Sequence, residues 1–317
     1  MIKFLEMREK LKNNAYPVLC VYGNDNWLRR KAIANICESL NVVDDGYNVD
    51  YLDNPVIADI KMACMTPALF CDKKIIVCEN FVFPDGNKAQ NVKQEIADIV
   101  KYYDGSFCLV FVADTEKNFD IAGVETINCN HLDKENVSRW IVSFCKRQQV
   151  SVDSLCAGKL AIYCLCDMSR VAVETQKLID YGEFTLESIE QLVHKDAEYI
   201  VYDLSQVIAA KNGAKAIETY RGLVASGEEP RALFALLYNF YRRAYYVKTS
   251  DFPTTELAEY LGVRAGAVSF AKDTAAKYKP MQLKRVLDCF KDADVKLKAF
   301  VDDNEVMTTL ILKLIAL

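Results

Sequence analysis

Tyr16-Pro17-Val18-Leu19-Cys20-Val21-Tyr22-Gly23-Asn24-Asp25-Asn26-Trp27-Leu28 decides how the first part of this 317-residue chain is read. Residues 16–22 spell a short buried strand, and 23–27 turn the chain. Leu28, Ala32, Ile33, Ile36 and Leu40 then recur at helical spacing. Strand, glycine-led turn and helix, in that order, is where a phosphate-binding loop is built. Such a loop needs several glycines with a Lys and a Ser or Thr, so that backbone N–H groups surround phosphate. Gly23 is the only glycine of this turn, and Trp27 and Leu28 stand near the place of the Lys and the hydroxyl. The stretch therefore predicts the architecture of a P-loop domain without its chemistry. That points to a protein that binds and positions other molecules and does not itself hydrolyse a nucleotide.

Outward from this turn, strand and helix signals alternate over the first 130 or so residues. Strands are expected at 16–22, 47–52, 74–79, 107–113 and 124–129, and helices at 2–13, 27–40, 55–65 and 87–103. Phe107 to Ala113 is continuously apolar, as a central strand covered on both faces must be. Alternation of this kind implies a parallel sheet flanked by helices. After Cys129 the strands stop. Helices are expected at 133–148, at 168–181, at 185–194 and in a stretch capped by Asp153 that holds Cys164 and Cys166. From Tyr199 onward all segments read as helices: 199–212, 213–226, 229–248, 254–261, 264–277, 280–300 and 302–316. The expected class is α/β plus all-α, in three domains: 1–132, 133–198 and 199–317.

Composition narrows the function classes. The chain is 51% hydrophobic and 26% charged with a formal net charge of -5, which argues against an autonomous DNA binder. Twelve Cys and two His make no CxxC and no His-rich metal site, so reduced cysteines acting as small apolar residues in the cytoplasm are expected. Charged residues break up the start of the chain, leaving no signal-peptide core, and the longest apolar run is far too short to span a bilayer.

No catalytic constellation stands out. Asp44-Asp45 and Asp302-Asp303 point apart at element ends and read as solvated caps. Asp114 stands where a magnesium-binding carboxylate of a P-loop ATPase would sit, but no Lys or hydroxyl cooperates with it. His131 and His194 read as surface residues. Two features carry more. Leu69-Phe70, after the helix-ending Thr66-Pro67, can fold into the core or project as an apolar anchor into another protein's pocket. From the residues alone core packing is the stronger reading. The helix 229–248 combines a stripe (Leu233, Leu236, Leu237, Phe240, Tyr241) with Arg242, Arg243 and Tyr245, a mixture able to touch nucleic acid. A core helix with a solvated basic end is the stronger reading there.

Several stretches, in order, carry a resemblance to one family. They are Pro17 to Gly23 with Trp27-Leu28; Thr66-Pro67-Ala68-Leu69-Phe70 followed by Lys73-Lys74-Ile75-Ile76-Val77 and Asn80; and Glu174-Thr175-Gln176-Lys177-Leu178 followed by Phe184-Thr185. Further on come Asp203-Leu204, Gly227-Glu228-Glu229-Pro230, Tyr241-Arg242, Leu261-Gly262-Val263 and Asp294 with Leu297-Lys298. Over its full length the chain resembles the delta subunit of the bacterial DNA polymerase III clamp loader. Ala299-Phe300 departs from the small residue and Gly usual there.

The resemblance implies an AAA+-like domain with an inactive nucleotide site, a helical lid and a C-terminal helical collar. It implies binding and opening of the sliding clamp (the beta subunit) through Leu69 and Phe70, which reverses the reading from residues alone. It also implies assembly with tau/gamma and delta prime subunits around primed DNA. On this view the protein works within the polymerase holoenzyme, a nucleotidyltransferase complex, with no catalytic site, metal or cofactor of its own. The rival readings are a divergent AAA+ ATPase and an adaptor of unrelated role.

Overall fold

A computed structural model describes the chain apart from residues 15, 69–71, 82–86, 102, 116–120, 122, 196, 264 and 300, and apart from the side chains of 87–89, 197, 198, 255, 265 and 269. The contacts divide it into two compact units, Met1–Asn136 and Val137–Leu317.

The first unit runs β1 (Ile2–Lys3), α1 (Met7–Asn13), β2 (Val18–Tyr22), α2 (Asn26–Leu40), β3 (Val49–Asp53), α3 (Ile57–Met65), β4 (Lys74–Glu79), α4 (Asn87–Lys101), β5 (Phe107–Ala113) and β6 (Glu125–Asn128). The six strands form one sheet in the order β1-β6-β2-β5-β4-β3, and every neighbouring pair is parallel. β2 lies between β5 and β6, with Cys20 opposite Phe111 on one side and Thr126 on the other. Its five residues are all buried because both faces of the sheet are covered. Val18, Cys20, Tyr22, Leu109 and Phe111 pack with Ile60 of α3 and Ile96 of α4. Leu19, Val21, Ile75, Val77 and Val110 point the other way and are equally buried.

The expected first helix, 2–13, is corrected at its start. Ile2 pairs with Ile127 and adds a two-residue strand to the sheet edge, and a 3-10 turn at Phe4–Glu6 leads into α1. The β6 edge offers backbone partners that helical propensity cannot outweigh.

Burial also accounts for the cysteines. It pushes the Cys20, Cys78 and Cys108 thiols up to about 12, so at neutral pH they are uncharged apolar side chains of the sheet.

The second unit is helical: α5 (Lys134–Arg147), α6 (Ser154–Tyr163), α7 (Met168–Tyr181), α8 (Leu186–Leu192), α9 (Ala197–Ala209), α10 (Gly213–Ala225), α11 (Pro230–Thr249), α12 (Thr254–Leu261), α13 (Ala265–Ala276), α14 (Pro280–Lys298) and α15 (Asp303–Ala316). α5 starts just ahead of the division between the units. Cys164 and Cys166, expected inside a helix, lie instead in a reversal between α6 and α7. There Leu165 and Cys166 adopt φ values of 53° and 56°, and the Cys166 N–H returns to the Ala161 carbonyl at 2.8 Å. Asp167 then caps α7 by accepting from the N–H groups of Ser169 and Arg170.

α11 is the centre of the larger core, with α9, α13, α14 and α15 packed on it. Phe290 of α14 is its hub: its ring lies 5.5 Å from that of Phe234, 5.9 Å from Tyr238 and 5.8 Å from Tyr241. Phe290→Ala should therefore lower the stability of this unit by about 3–5 kcal/mol, read as a shift in its urea midpoint. A change below about 1 kcal/mol would mean that the ring cluster is not the core it looks like.

Candidate functional site

The turn after β2 is fastened to the turn after β6. Gly23 has φ +146° and donates to the Ala113 carbonyl at 3.3 Å. A Cβ at Gly23 would lie 2.1 Å from the Cys129 carbonyl carbon, so only glycine lets the two backbones approach this closely. The Asp25 N–H donates to the Cys129 carbonyl at 3.2 Å and the Asn24 N–H to Asn130 Oδ1 at 3.3 Å. In return the His131 N–H donates to Asn24 Oδ1 at 2.9 Å.

Asp25 is the N-cap of α2. It is 5% exposed, and its Oδ1 accepts from the Leu28 N–H at 3.0 Å. Its Oδ2 lies 3.1 Å from His131 Nδ1. The guanidinium of Arg29 donates to the Gly23 carbonyl and, at 2.8 Å, to Asp114 Oδ1.

In chemical terms the loop is already satisfied. The N–H groups of Gly23, Asn24, Asp25 and Leu28 point at protein acceptors, and a carboxylate sits at the helix N-terminus where an anion would gain most. A phosphate there would have to displace Asp25 and face its charge. Asp114, read as a vestigial metal position, is 73% exposed on its side chain and paired with Arg29. His131 joins the site, although nothing in its sequence context couples it to Asp25; the two are 106 residues apart. Among the described residues, no three His, Cys, Asp or Glu side chains converge as metal ligands.

The second candidate site is fixed at both ends. α3 stops where Thr66 turns back, its hydroxyl donating to the Met62 carbonyl at 2.9 Å, ahead of Pro67. Downstream, Lys74 opens β4 with its side chain 7% exposed and its Nζ 2.5 Å from Asp50 Oδ2 of β3. Leu69 and Phe70 themselves lie outside the described residues. Met62 and Met65, on the last turn of α3, are 67% and 84% exposed, although the sequence put Met62 among the apolar positions of that helix. Two exposed methionines just ahead of Leu69-Phe70 enlarge the apolar character of this end of the unit.

The third candidate does not come together. Arg243 is 5% exposed, so its side chain is unavailable to a ligand as placed. Arg242 is half-buried, with its guanidinium 5.9 Å from the Tyr238 ring centroid. Tyr245 is half-buried against the α11 core, its ring 6.2 Å from that of Tyr246. Arg242 and Tyr245, three residues apart, lie on one side of α11, whereas Arg243 turns toward the core.

Replacing Gly23 by Ala tests the close approach. The variant should lose about 3 kcal/mol or more from the first unit, because strain at positive φ adds to a backbone clash. Urea unfolding followed by far-UV circular dichroism measures this, and a near-neutral result would show that the loop does not depend on contact with Cys129.

Known proteins share this organisation. The family model for "DNA polymerase III, delta subunit" matches residues 19–122, and that for the C-terminal domain of the same subunit matches 198–314. DNA polymerase III subunit delta of Bacillus subtilis (strain 168) is 21% identical over 329 residues, spanning 95% of this chain and 93% of that protein. The solved structure of a Bacillus subtilis DNA clamp loader delta protein superposes with a TM-score of 0.70 at 18% identity, covering 99% of this chain and 100% of that one. The α/β plus all-α class expected from the sequence therefore holds: a parallel-sheet domain followed by helices. Among the described residues, no helix is long and apolar enough to cross a membrane.

Proposed function

We propose that this chain, which belongs to the DNA polymerase III delta subunit family and is thereby a clamp loader subunit, binds the ring-shaped sliding clamp and helps open it for loading onto primed DNA. It does so without hydrolysing ATP and carries no catalytic site of its own. Residues 1–132 bind the clamp, 133–198 form a lid, and 199–317 form the collar that joins tau/gamma and delta prime subunits. The setting is the cytoplasm. Within the assembled loader, Arg242 and Tyr245 are this chain's candidates for DNA contact.

The observation that carries the reading is a loop closed to anions. Asp25 occupies the N-terminus of α2 and Arg29 is engaged by Gly23 and Asp114, so the domain keeps the P-loop scaffold as a rigid support. Its working part is then the segment at 66–73, fastened by Thr66 and Lys74 and bordered by Met62 and Met65. Leu69 and Phe70 are the proposed anchor. Entering a clamp pocket would gain about 1.5–3 kcal/mol for each side chain buried.

Two measurements test this. Leu69→Ala combined with Phe70→Ala should leave the circular dichroism and melting of the chain unchanged and weaken binding to the purified clamp by roughly two to four decades. Binding like wild type would refute the anchor, and unfolding would return the pair to the core. Calorimetric titration with Mg-ATP should give no saturable heat, because the donors of the loop are already engaged. A micromolar site would favour the divergent ATPase instead.

A further inference from the structure

The chain passes from α8 to α9 through residues 193–196, and polar contacts converge on this short connection. Tyr163, the last residue of α6, donates its hydroxyl to Glu190 Oε1 at 2.5 Å. Lys159 Nζ lies 2.6 Å from the same oxygen, and Lys195 Nζ lies 2.9 Å from Oε2. Both ammonium groups stand over the Tyr163 ring, 5.6 Å and 5.2 Å from its centroid. That ring also packs against Tyr199 of α9, with centroids 4.6 Å apart. α7 adds two donors: Arg170 to the His194 carbonyl of the connection at 2.9 Å and Lys177 to the Leu192 carbonyl at the end of α8 at 2.8 Å.

The geometry points to a polar latch, centred on Glu190 as a positioning residue, that fastens the first turn of α9 onto the small helical group α6–α8. Tyr199 and Lys195, on the far side of this joint, are held through Tyr163 and Glu190. Among the described residues, no helix of α5–α8 shares an extended packing face with α9–α15, whereas α9 itself packs on α10, α11 and α13. A close approach lies elsewhere: a Cβ at Gly266 of α13 would lie 2.9 Å from the Leu165 carbonyl oxygen, which leaves no room for a side chain. Burial works to raise the Glu190 carboxyl, but hydrogen bonds from Lys159, Tyr163 and Lys195 outweigh it and hold it at about 2. The carboxylate is thus charged across the neutral range.

A joint of this kind differs from one made by apolar packing. Glu190 and Lys195 each keep 41% of their side-chain exposure, so their pair is screened by salt and can open without unfolding either neighbour. The functional meaning rests on the proposed collar role of α9–α15: the latch sets the angle at which the lid leaves the collar, and its release frees the lid.

Hydrogen exchange on the full-length chain tests the latch. In Glu190→Ala, amides in peptides spanning 190–203 should exchange tenfold or more faster, while those of α11 and the global unfolding midpoint stay as in wild type. Lys195→Met, which leaves Tyr163, Lys159 and Glu190 together, should give a smaller increase in the same peptides. Wild type in 1 M salt should approach Glu190→Ala, and the variant itself should be insensitive to salt. Unchanged exchange at 190–203 in both variants would overturn the latch. So would an equal rise in α11, which would mark Glu190 as merely structural. If Glu190→Ala fails to fold, Lys195→Met and the salt series decide. Because exchange is read without the clamp, the latch stands or falls independently of clamp binding.

Discussion

Everything at the first unit's candidate site follows from one close approach, that of the Gly23 backbone to the backbone of Cys129. A loop that cradles phosphate must stand away from the neighbouring strand so that its N–H groups face an open concavity. Here the turn is laid against the end of β6 instead. Once Gly23 is in place, Asp25 reaches the Cys129 carbonyl with its N–H, and its carboxylate is left over the first turn of α2. Asn24 and His131 then close the contact from both sides. A single glycine suffices because only at position 23 would a Cβ collide with the facing backbone. The carboxylate also serves the helix itself, since a capping Asp is worth about 1 kcal/mol and completes donors that phosphate would otherwise satisfy.

The sheet behind this loop was largely legible in the sequence, and for one reason. A strand buried on both faces must be apolar at every position, so Phe107–Ala113 and the apolar core of Lys74–Glu79 announce themselves. Helix ends were legible where side chains cap them, as at Asp153 and Asp302. What escaped was structure decided by distant partners. β1 is two residues long and exists because β6 needs a neighbour. The Asp25–His131 pair and the Glu190 group join residues far apart in sequence that carry no periodic signal. Arg243 reads as a surface cation yet is 5% exposed, because its position on α11 faces into the packed helices. The exposed Met62 and Met65 were hidden for the opposite reason: apolar residues on a helix are read as core, whichever way they face.

Charge shows the same division between chain-level and local readings. The net charge of -5 describes the whole chain and says little about a site, because the cations near the candidate sites are engaged internally. Arg29 is bound to Asp114, Lys74 to Asp50, Arg231 to Asp303 and Lys195 to Glu190. Of these, Lys74 is the most buried, with 7% of its side chain exposed, and it sits at the first residue after the segment proposed to hold the clamp. A buried ion pair is a poor source of stability but a strict one of geometry, since either charge left alone is costly. It fixes the register of β3 against β4 at the start of β4.

A protein that holds and opens a ring without spending nucleotide has to draw the work from differential binding. Moving a closed ring from about one per cent open to about ninety-nine per cent open takes roughly 5.5 kcal/mol. Two large apolar side chains entering a pocket supply about 3–6 kcal/mol if they are exposed beforehand, so the proposed anchor reaches that sum only near its upper limit. The margin is small enough that rigidity elsewhere matters. Any slack between anchor and collar would let the ring close while the anchor stayed bound, and the binding energy would be lost to motion. Under the proposed function, a loop locked by Asp25, a strand start held at Lys74 and a lid latched by Glu190 would each remove one source of that slack, and of these the Glu190 latch is held mainly by exposed charges that conditions can release.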